Sequence, residues 1–322
     1  MPHVLSFTGT GMAEDVREAD LRSLSDQVPE AADGLEEISL PPWFAEQLGP
    51  PSAPDQDKHG SHRVEISPSF QLHISLAEDD GANGSLFAFS IWNGSLLLAR
   101  YLDNHPSFVR DKRVIEFGAA GALPSMVALR HGGAYVMITD YPDARLLQAI
   151  ERTLQDRRNA AWLGAGKTAG RVGIMGHVWG KDTAGLLGEE STRNGQVRAC
   201  LRHTGDDLGK VRTEGRSSGL YDLALVGECL WLHREHGNLL QSLHSTLCPG
   251  GTALISFAHH VPGCEDKDMR FFMLAAQARQ YGNEQPVWFE VQKLLEKNMV
   301  CLHREGKVSK QFLYSLTKRS GG

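Results

Sequence analysis

Segment 114–124 constrains the fold of this chain more than any other part of the sequence. Its residues, VIEFGAAGALP, form a short apolar strand that carries the acid Glu116, then a Gly/Ala turn, then the start of a helix. A second apolar strand, 135–139, ends in Asp140, which stands 22 residues after Gly118. This order of elements is typical of the first half of a nucleotide-binding α/β sheet. We therefore expect the turn to lie against a ligand and Asp140 to accept hydrogen bonds from a ribose diol.

Composition limits the classes of protein that the chain can represent. Its 322 residues are 41% hydrophobic, enough for a well-formed core, and no apolar run reaches the ~18 residues that span a membrane. A net charge of −6 without a long basic run disfavours a nucleic-acid partner. The five cysteines show no C-x-x-C spacing, which predicts reduced thiols and no metal site. We expect a cytoplasmic protein without a membrane partner, and the sequence leaves its oligomeric state open.

Two segments differ in composition from the remainder of the chain. Residues 1–60 are rich in Asp, Glu and Pro, and we interpret them as an exposed, partly disordered N-terminal arm. Residues 61–322 are predicted to form one α/β domain. Within that domain, residues 186–219 are polar, Gly-rich and mixed in charge, which predicts a long surface insertion.

Predicted strands and helices alternate from residue 113 onward. The strands are 113–117, 134–139, 171–175, 221–226 and 251–257. The helices are 124–131, 144–154, 234–247 and 267–281. This alternation predicts parallel strands joined by right-handed crossovers. Two late strands without a helix between them, 289–294 and 311–316, predict an antiparallel hairpin at the sheet edge. Upstream, 62–66 and 70–74 are predicted as a short hairpin and 90–102 as an amphipathic helix.

The identity of the nucleotide ligand depends first on Glu116. Both dehydrogenases and methyltransferases begin with this strand, turn and helix. An acid before the turn would repel the pyrophosphate of NAD, whereas it can approach the sulfonium and ammonium groups of S-adenosylmethionine. The turn also lacks the G-x-G-x-x-G spacing of dinucleotide binders, and the closing hairpin fits a seven-stranded sheet with one reversed strand. These features favour a methyltransferase.

Several motifs, in this order along the chain, carry a family resemblance. They are WNG at 92–94, EFGAA at 116–120 with LPS at 123–125, TDYP at 139–142, GHVWG at 176–180, and YDL at 221–223 leading to ECLWLH at 228–233. The segment from about residue 80 to 318 resembles the nicotinamide N-methyltransferase-like group of seven-β-strand methyltransferases. It is most similar to the fungal branch that includes the elongation-factor 1-alpha N-terminal and lysine methyltransferases. The resemblance implies a Rossmann-like, class I methyltransferase sheet with a closing antiparallel hairpin, preceded by an N-terminal extension.

The resemblance also implies S-adenosylmethionine as the cofactor and places its methionine end. Glu116, Gly118 and Ala120 would line that end of the site. Glu228 and Cys229, just after the fourth strand, would lie near the methyl group that is transferred.

The adenosine end is implied in the same way. Asp140 would take the ribose hydroxyls, with Tyr141 and Pro142 beside the adenine. Trp179 would stack on the adenine or flank it, and Trp92 would close the site from the N-terminal side.

The chain departs from the family pattern at a few positions near this site. Ala120 and Ala122 stand where the family usually has glycine, which narrows the turn and could weaken cofactor binding. Gly227 and Glu228 replace a usual Ser-Asp pair, and 151–153 lacks a familiar asparagine. Substrate identity therefore transfers less safely from the family than the fold does.

Three residues are candidates for catalysis. An amine acceptor must arrive uncharged, so an acid or a histidine near the crevice could orient it or take its proton. Glu228, His233 and His259 follow strands at the edge where ligands bind. Three functions remain open: methylation of a protein lysine or N-terminal amine, methylation of a small molecule at N, O or S, and cofactor-fold binding with little turnover.

Overall fold

The computed structural model describes residues 61–77, 88–163, 170–188, 219–277, 289–302 and 306–319. The predicted N-terminal arm, 1–60, and nearly all of the predicted insertion, 186–219, lie outside the described residues. So does the end of the predicted helix 267–281 beyond residue 277.

Nine strands form two sheets in the described part of the chain. They are β1 Ser61–Ser67, β2 Phe70–Ser75, β3 Arg113–Phe117, β4 Tyr135–Asp140, β5 Val172–Gly176, β6 Tyr221–Gly227, β7 Leu247–Ala258, β8 Phe289–Val300 and β9 Val308–Lys318. The large sheet has seven strands in the order β5-β4-β3-β6-β7-β9-β8. Strands β3 to β7 are parallel to one another, and β9 runs antiparallel to both β7 and β8. This confirms the predicted seven-stranded sheet with its reversed strand and closing hairpin.

Seven helices pack around these strands within the described residues. They are α1 Asn93–Asn104, α2 Leu123–Arg130, α3 Ala144–Gln155, α4 Arg157–Leu163, α5 Ala184–Leu187, α6 His236–Thr246 and α7 Glu265–Ala276. The sequence analysis missed α4, which follows α3 after a single extended residue, Asp156. The carboxylate of Asp156 accepts the backbone N–H of Arg158 at 2.9 Å and so begins a new helix where the pattern indicated an end. None of the described helices is long and apolar enough to cross a bilayer.

The central strands are buried on both faces. In β3, Val114 belongs to the apolar cluster on one face and Ile115 to the cluster on the other. In β6, Leu223 and Ala224 divide in the same way. Such strands read as continuous apolar runs, which is why they could be predicted from the sequence.

The predicted upstream hairpin is present as a separate two-stranded sheet, β1–β2. Its end is fastened to the main domain, because the backbone N–H of Ser75 donates to Oγ1 of Thr153 at 2.9 Å. The N–H of His73 donates to Oδ1 of Asn159 at 2.8 Å. Thr153 stands in the segment that lacks the familiar asparagine, and it holds the hairpin against α3. The hairpin therefore reaches the ligand-binding edge of the large sheet.

Candidate active site

A cavity of about 570 Å³ lies at the carboxyl ends of β3, β4 and β6. Ligands of open α/β sheets bind at this edge, where the strand order reverses. One side, which we call the turn side, includes Gly118, Ala120, Asp140, Tyr141 and Trp179. Another, which we call the α1 side, includes Ile91, Trp92, Ser95, Glu228 and Trp231. Ile74 and Leu76, from β2 and just after it, complete the wall.

The Gly/Ala turn after β3 has a left-handed backbone at three positions. The φ angle is +65° at Gly118, +45° at Ala120 and +61° at Ala122. Alanine rarely adopts this conformation because its β-carbon approaches the following carbonyl. Gly121 meets a different constraint, since a β-carbon there would come within 2.2 Å of Cγ2 of Ile74. Gly121 is thus needed where the hairpin packs against the turn.

Asp140 at the end of β4 faces the cavity and fastens the turn. Its Oδ2 accepts the backbone N–H of Ala120 at 2.6 Å, and its Oδ1 accepts that of Tyr141 at 2.7 Å. Burial raises the pKa of Asp140 to about 6 in spite of these two bonds. A carboxylate with two fixed donors can still accept hydroxyl groups, because each oxygen has a second lone pair.

Glu116 lies behind the turn. Its Oε2 accepts the backbone N–H of Ser125 at 2.9 Å and also the Ser125 hydroxyl, so it caps the first turn of α2. The side chain is 1% exposed, and burial raises its pKa to about 8. Glu116 is not among the described residues that line the cavity. Its predicted contact with the cationic end of the cofactor stays a prediction, and the structure gives it a capping role.

The segments that follow β4 and β5 each place an aromatic side chain on the turn side. Trp179 and Tyr141 line the cavity, and their predicted place beside an adenine stays a prediction. Pro142 packs against Gly176, where a β-carbon would come within 2.7 Å of it. Pro142 therefore supports the end of β5, and it is not among the described residues of the cavity wall. Its predicted place beside the adenine stays a prediction.

Cys229 forms the floor beneath the turn. A β-carbon added to Gly118 would come within 2.6 Å of the buried Sγ of Cys229, so the thiol occupies the space beside this glycine. Burial raises the pKa of the thiol well above its usual value, so it remains protonated. Cys229 thus lines the cavity as a small apolar group.

Glu228 links three elements on the α1 side. Its Oε1 accepts the backbone N–H of Gly94 in α1 at 2.8 Å. Its Oε2 accepts the N–H of Ala258, at the end of β7, at 3.1 Å and bonds Nε2 of His260 at 2.7 Å. The backbone of Glu228 is itself left-handed, with φ of +59°. Glu228 lines the cavity, and these partners favour a fixed orientation of its carboxylate. Its predicted place near the transferred methyl group stays a prediction.

The two predicted catalytic histidines, His233 and His259, both contact Asp268. Nε2 of His233 and Nδ1 of His259 each lie 2.7 Å from a different oxygen of Asp268, which is buried in α7. Neither histidine is among the described residues that form the cavity wall. Their catalytic role stays a prediction. His260, which was not among the predicted catalytic residues, bonds the wall residue Glu228. His177 is itself one of the described wall residues.

The α1 side is aromatic. Trp92, just before α1, lines this side. Trp231 of the ECLWLH motif, in the segment that follows β6, lines it as well. Both indoles pack against Val261. Trp92 was predicted at this site, whereas Trp231 was not, although a motif that carried the resemblance contains it. No sequence signal pointed to Ile74 and Leu76, because the hairpin lies upstream of every quoted motif.

The wall fits an adenosine-type methyl donor. Asp140 offers a buried carboxylate to a diol, and Trp179 and Tyr141 offer flat rings beside it. This arrangement, on a sheet of this strand order, defines a class I, S-adenosylmethionine-dependent methyltransferase. A protein N-terminal and lysine N-methyltransferase EFM7 of Eremothecium gossypii is 35% identical over 208 residues, which cover 64% of this chain and 67% of that protein. The chain belongs to the EFM7 family of protein N-terminal and lysine N-methyltransferases.

Other comparisons extend this relationship. The protein of the same name from Yarrowia lipolytica is 29% identical over 287 residues, 84% of this chain and 90% of that protein. No protein-family model matches the sequence. Among solved structures, an arsenic(III) S-adenosylmethionine methyltransferase from Chlamydomonas reinhardtii is 16% identical, with a TM-score of 0.41 over 66% of this chain and 65% of that one. The resemblance inferred from the motifs is confirmed by the relatives.

Proposed function

We propose that this protein transfers a methyl group from S-adenosylmethionine to an amine of a protein, at an N-terminus or a lysine side chain. The names of the relatives, protein N-terminal and lysine N-methyltransferases, support this class of acceptor. A translation factor is the acceptor that the resemblance of the motifs implies. The structural observation that carries the proposal is a cavity with a carboxylate and flat rings on its turn side and two indoles on its α1 side.

The turn side would hold the methyl donor. Asp140 would accept the ribose hydroxyls, Trp179 and Tyr141 would flank the adenine, and the backbone at Gly118 and Ala120 would face the methionine end. S-adenosylmethionine supplies an electrophilic methyl group bonded to a sulfonium sulfur. The residues of the turn side then have to fix the direction in which that methyl group points.

The α1 side would receive the acceptor. An amine can react only through its free lone pair, so the site must admit it without its proton. Trp92 and Trp231 line this side with apolar surface, which excludes water and disfavours the charged form of an entering amine. Glu228 is the acid on this side, and with three hydrogen-bond donors already on its oxygens it would orient the amine more readily than remove its proton.

Methyl transfer into lysate tests the proposal. Isotope-labelled S-adenosylmethionine is incubated with the protein and a fungal lysate, which is then separated by size. An Asp140→Ala variant is the control. Label in a discrete protein band that the variant does not produce is the expected result, and peptide mapping of that band locates the modified amine.

Other distributions of the label would replace the proposal. Label only in the low-mass fraction would favour a small-molecule methyltransferase. Absence of label together with absence of S-adenosylhomocysteine binding in calorimetry would indicate a protein that keeps the fold without the activity.

A further inference from the structure

The two adjacent histidines after β7 hold opposite ends of one wall segment. Segment 228–233 contributes Glu228 and Trp231 to the cavity. His260 bonds Glu228 at the start of this segment, and His259 reaches Asp268, which also bonds His233 at its end. The two side chains take different partners, so the His-His pair reaches both at once.

The bond between His260 and Glu228 is a buried, directional contact. The side chains are 12% and 3% exposed, and Nε2 lies 2.7 Å from Oε2. We assign Nε2 of His260 as the donor of this bond and the Glu228 carboxylate oxygen as its acceptor. Hydrogen bonds to a charged group are stronger than hydrogen bonds between neutral groups, and they fix orientation as well as distance.

The orientation of Glu228 matters for the first turn of α1. Its other oxygen accepts the N–H of Gly94, one of the helix N–H groups without a partner inside the helix. Trp92 is the residue just before this helix. Its ring meets the His260 ring edge-on, with centroids 5.1 Å apart. His260 therefore touches both the acid and the indole of the α1 side.

We propose that His260 is a positioning residue, which fixes the Glu228 carboxylate against Gly94 and thereby holds the α1 side in place for the methyl acceptor. This inference rests on the proposed function for its activity consequence only. Donor binding does not depend on His260, since the turn side is fastened by the separate bonds of Asp140.

Two substitutions distinguish the hydrogen bond from the space that the ring fills. His260→Phe keeps a ring against Trp92 and removes the donor, whereas His260→Gln places an amide N–H near the position of Nε2. His131→Phe is the matched control, because Nε2 of His131 bonds the carboxylate of Asp103 at 2.8 Å away from the cavity. Each variant is compared with wild type in amide hydrogen exchange of the peptide containing Gly94, in S-adenosylhomocysteine calorimetry, and in the initial rate of labelling of the lysate protein band.

We expect His260→Phe to speed exchange at Gly94 and to slow labelling about tenfold, the loss typical of one hydrogen bond to a charged group. Donor affinity should stay within about twofold, and His260→Gln should recover most of both losses. Unchanged exchange at Gly94 in His260→Phe, no recovery in His260→Gln, or a loss of donor affinity equal to the loss of rate would each overturn the inference. If wild type labels no acceptor at all, the proposed function fails, and the exchange and calorimetry results still decide the role of His260.

Discussion

Two carboxylates stand on opposite sides of the cavity and are held in different ways. Asp140 accepts backbone N–H groups from Ala120 and Tyr141, 20 residues and one residue away along the chain. Glu228 accepts from Gly94, Ala258 and His260, which are 134, 30 and 32 residues away. The first acid is fixed within one strand–turn–helix–strand unit, and the second is fixed only when three separate elements have packed together.

The difference has a functional consequence. A donor site built within one unit should tolerate changes elsewhere in the fold, whereas an acceptor side built from long-range contacts should respond to changes in α1 and after β7. Substitutions on the two sides should therefore separate donor affinity from transfer rate.

Asp140→Ala should produce the largest effect, a loss of donor affinity through the turn side. It removes the acceptor of two backbone N–H groups and, in the proposed function, of the ribose hydroxyls of the methyl donor. Hydrogen bonds to charged groups contribute about 1.5–3 kcal/mol each. We expect S-adenosylhomocysteine affinity to fall about 100-fold in calorimetry.

The control for this variant is another acid of the same loop. Asp143 caps α3, where its Oδ1 accepts the N–H of Arg145 at 2.8 Å, and it is not one of the described wall residues. Asp143→Ala should cost about 1 kcal/mol of stability and leave donor affinity unchanged. Equal loss of affinity in the two variants would contradict the role given to Asp140.

Gly94→Ala should have the next largest effect and should act on the α1 side. A β-carbon there would lie 2.7 Å from Cγ and Cδ of Glu228, so the carboxylate must move. Labelling of the lysate protein band should slow about tenfold with donor affinity retained, because the hydrogen bond between Gly94 and Glu228 is lost.

The matched control is a helical glycine with space around it. At Gly185 in α5, the nearest atom to an added β-carbon is Sδ of Met175 at 3.4 Å, an ordinary contact. Gly185→Ala should be neutral or slightly stabilising in thermal melts, as alanine usually is in a helix. Donor affinity that falls with rate in Gly94→Ala would mean that the two sides are not independent.

The same contrast explains how much of the molecule could be predicted from its sequence. The turn side follows from residues close together in the chain: an apolar strand, Gly118, and Asp140 at the end of the next strand. Apolar runs and their alternation with helices also predicted the parallel strands of the large sheet and its closing hairpin, but not the order of the strands. Local patterns carry this information because each strand is buried on both faces.

The α1 side could not be predicted in the same way. Glu228 and Trp92 were placed there by resemblance, but their neighbours depend on contacts between distant segments. Nothing in the sequence distinguishes His260 from His259, because one residue of register decides which of them reaches Glu228. The approach of Ile74 to Gly121 depends likewise on how an upstream hairpin packs.

Glu116→Gln should change the pH dependence of stability on the turn side. Burial raises the pKa of Glu116 from 4.5 to about 8, so the folded chain keeps a proton that the unfolded chain releases between these values. The contribution of Glu116 to stability therefore falls as pH rises from 4.5 to about 8. Glutamine retains an oxygen for Ser125 and does not titrate.

Thermal or denaturant unfolding at several pH values measures this effect. Relative to wild type, Glu116→Gln should gain at least about 1.4 kcal/mol between pH 5 and pH 8, the free energy of one pKa unit. Parallel pH profiles for the two proteins would show that Glu116 titrates normally and is not desolvated behind the turn.

Ala120→Gly should have the smallest effect, a gain in the free energy of unfolding through relief of strain in the turn. With φ of +45°, Ala120 occupies a left-handed conformation that costs a residue with a β-carbon about 1–2 kcal/mol. Glycine removes this cost but loses more entropy on folding, about 0.5–1 kcal/mol, so a net gain of about 0.5–1 kcal/mol is expected in denaturant unfolding.

Ala119→Gly is the matched control one residue earlier, where φ is not positive and only the entropy loss applies, so it should destabilise. Changes of opposite sign in the free energy of unfolding of these two variants would locate the strain at Ala120. The turn side would then be built on a backbone conformation that its own sequence disfavours. Changes of the same sign would show that Ala120 is not strained.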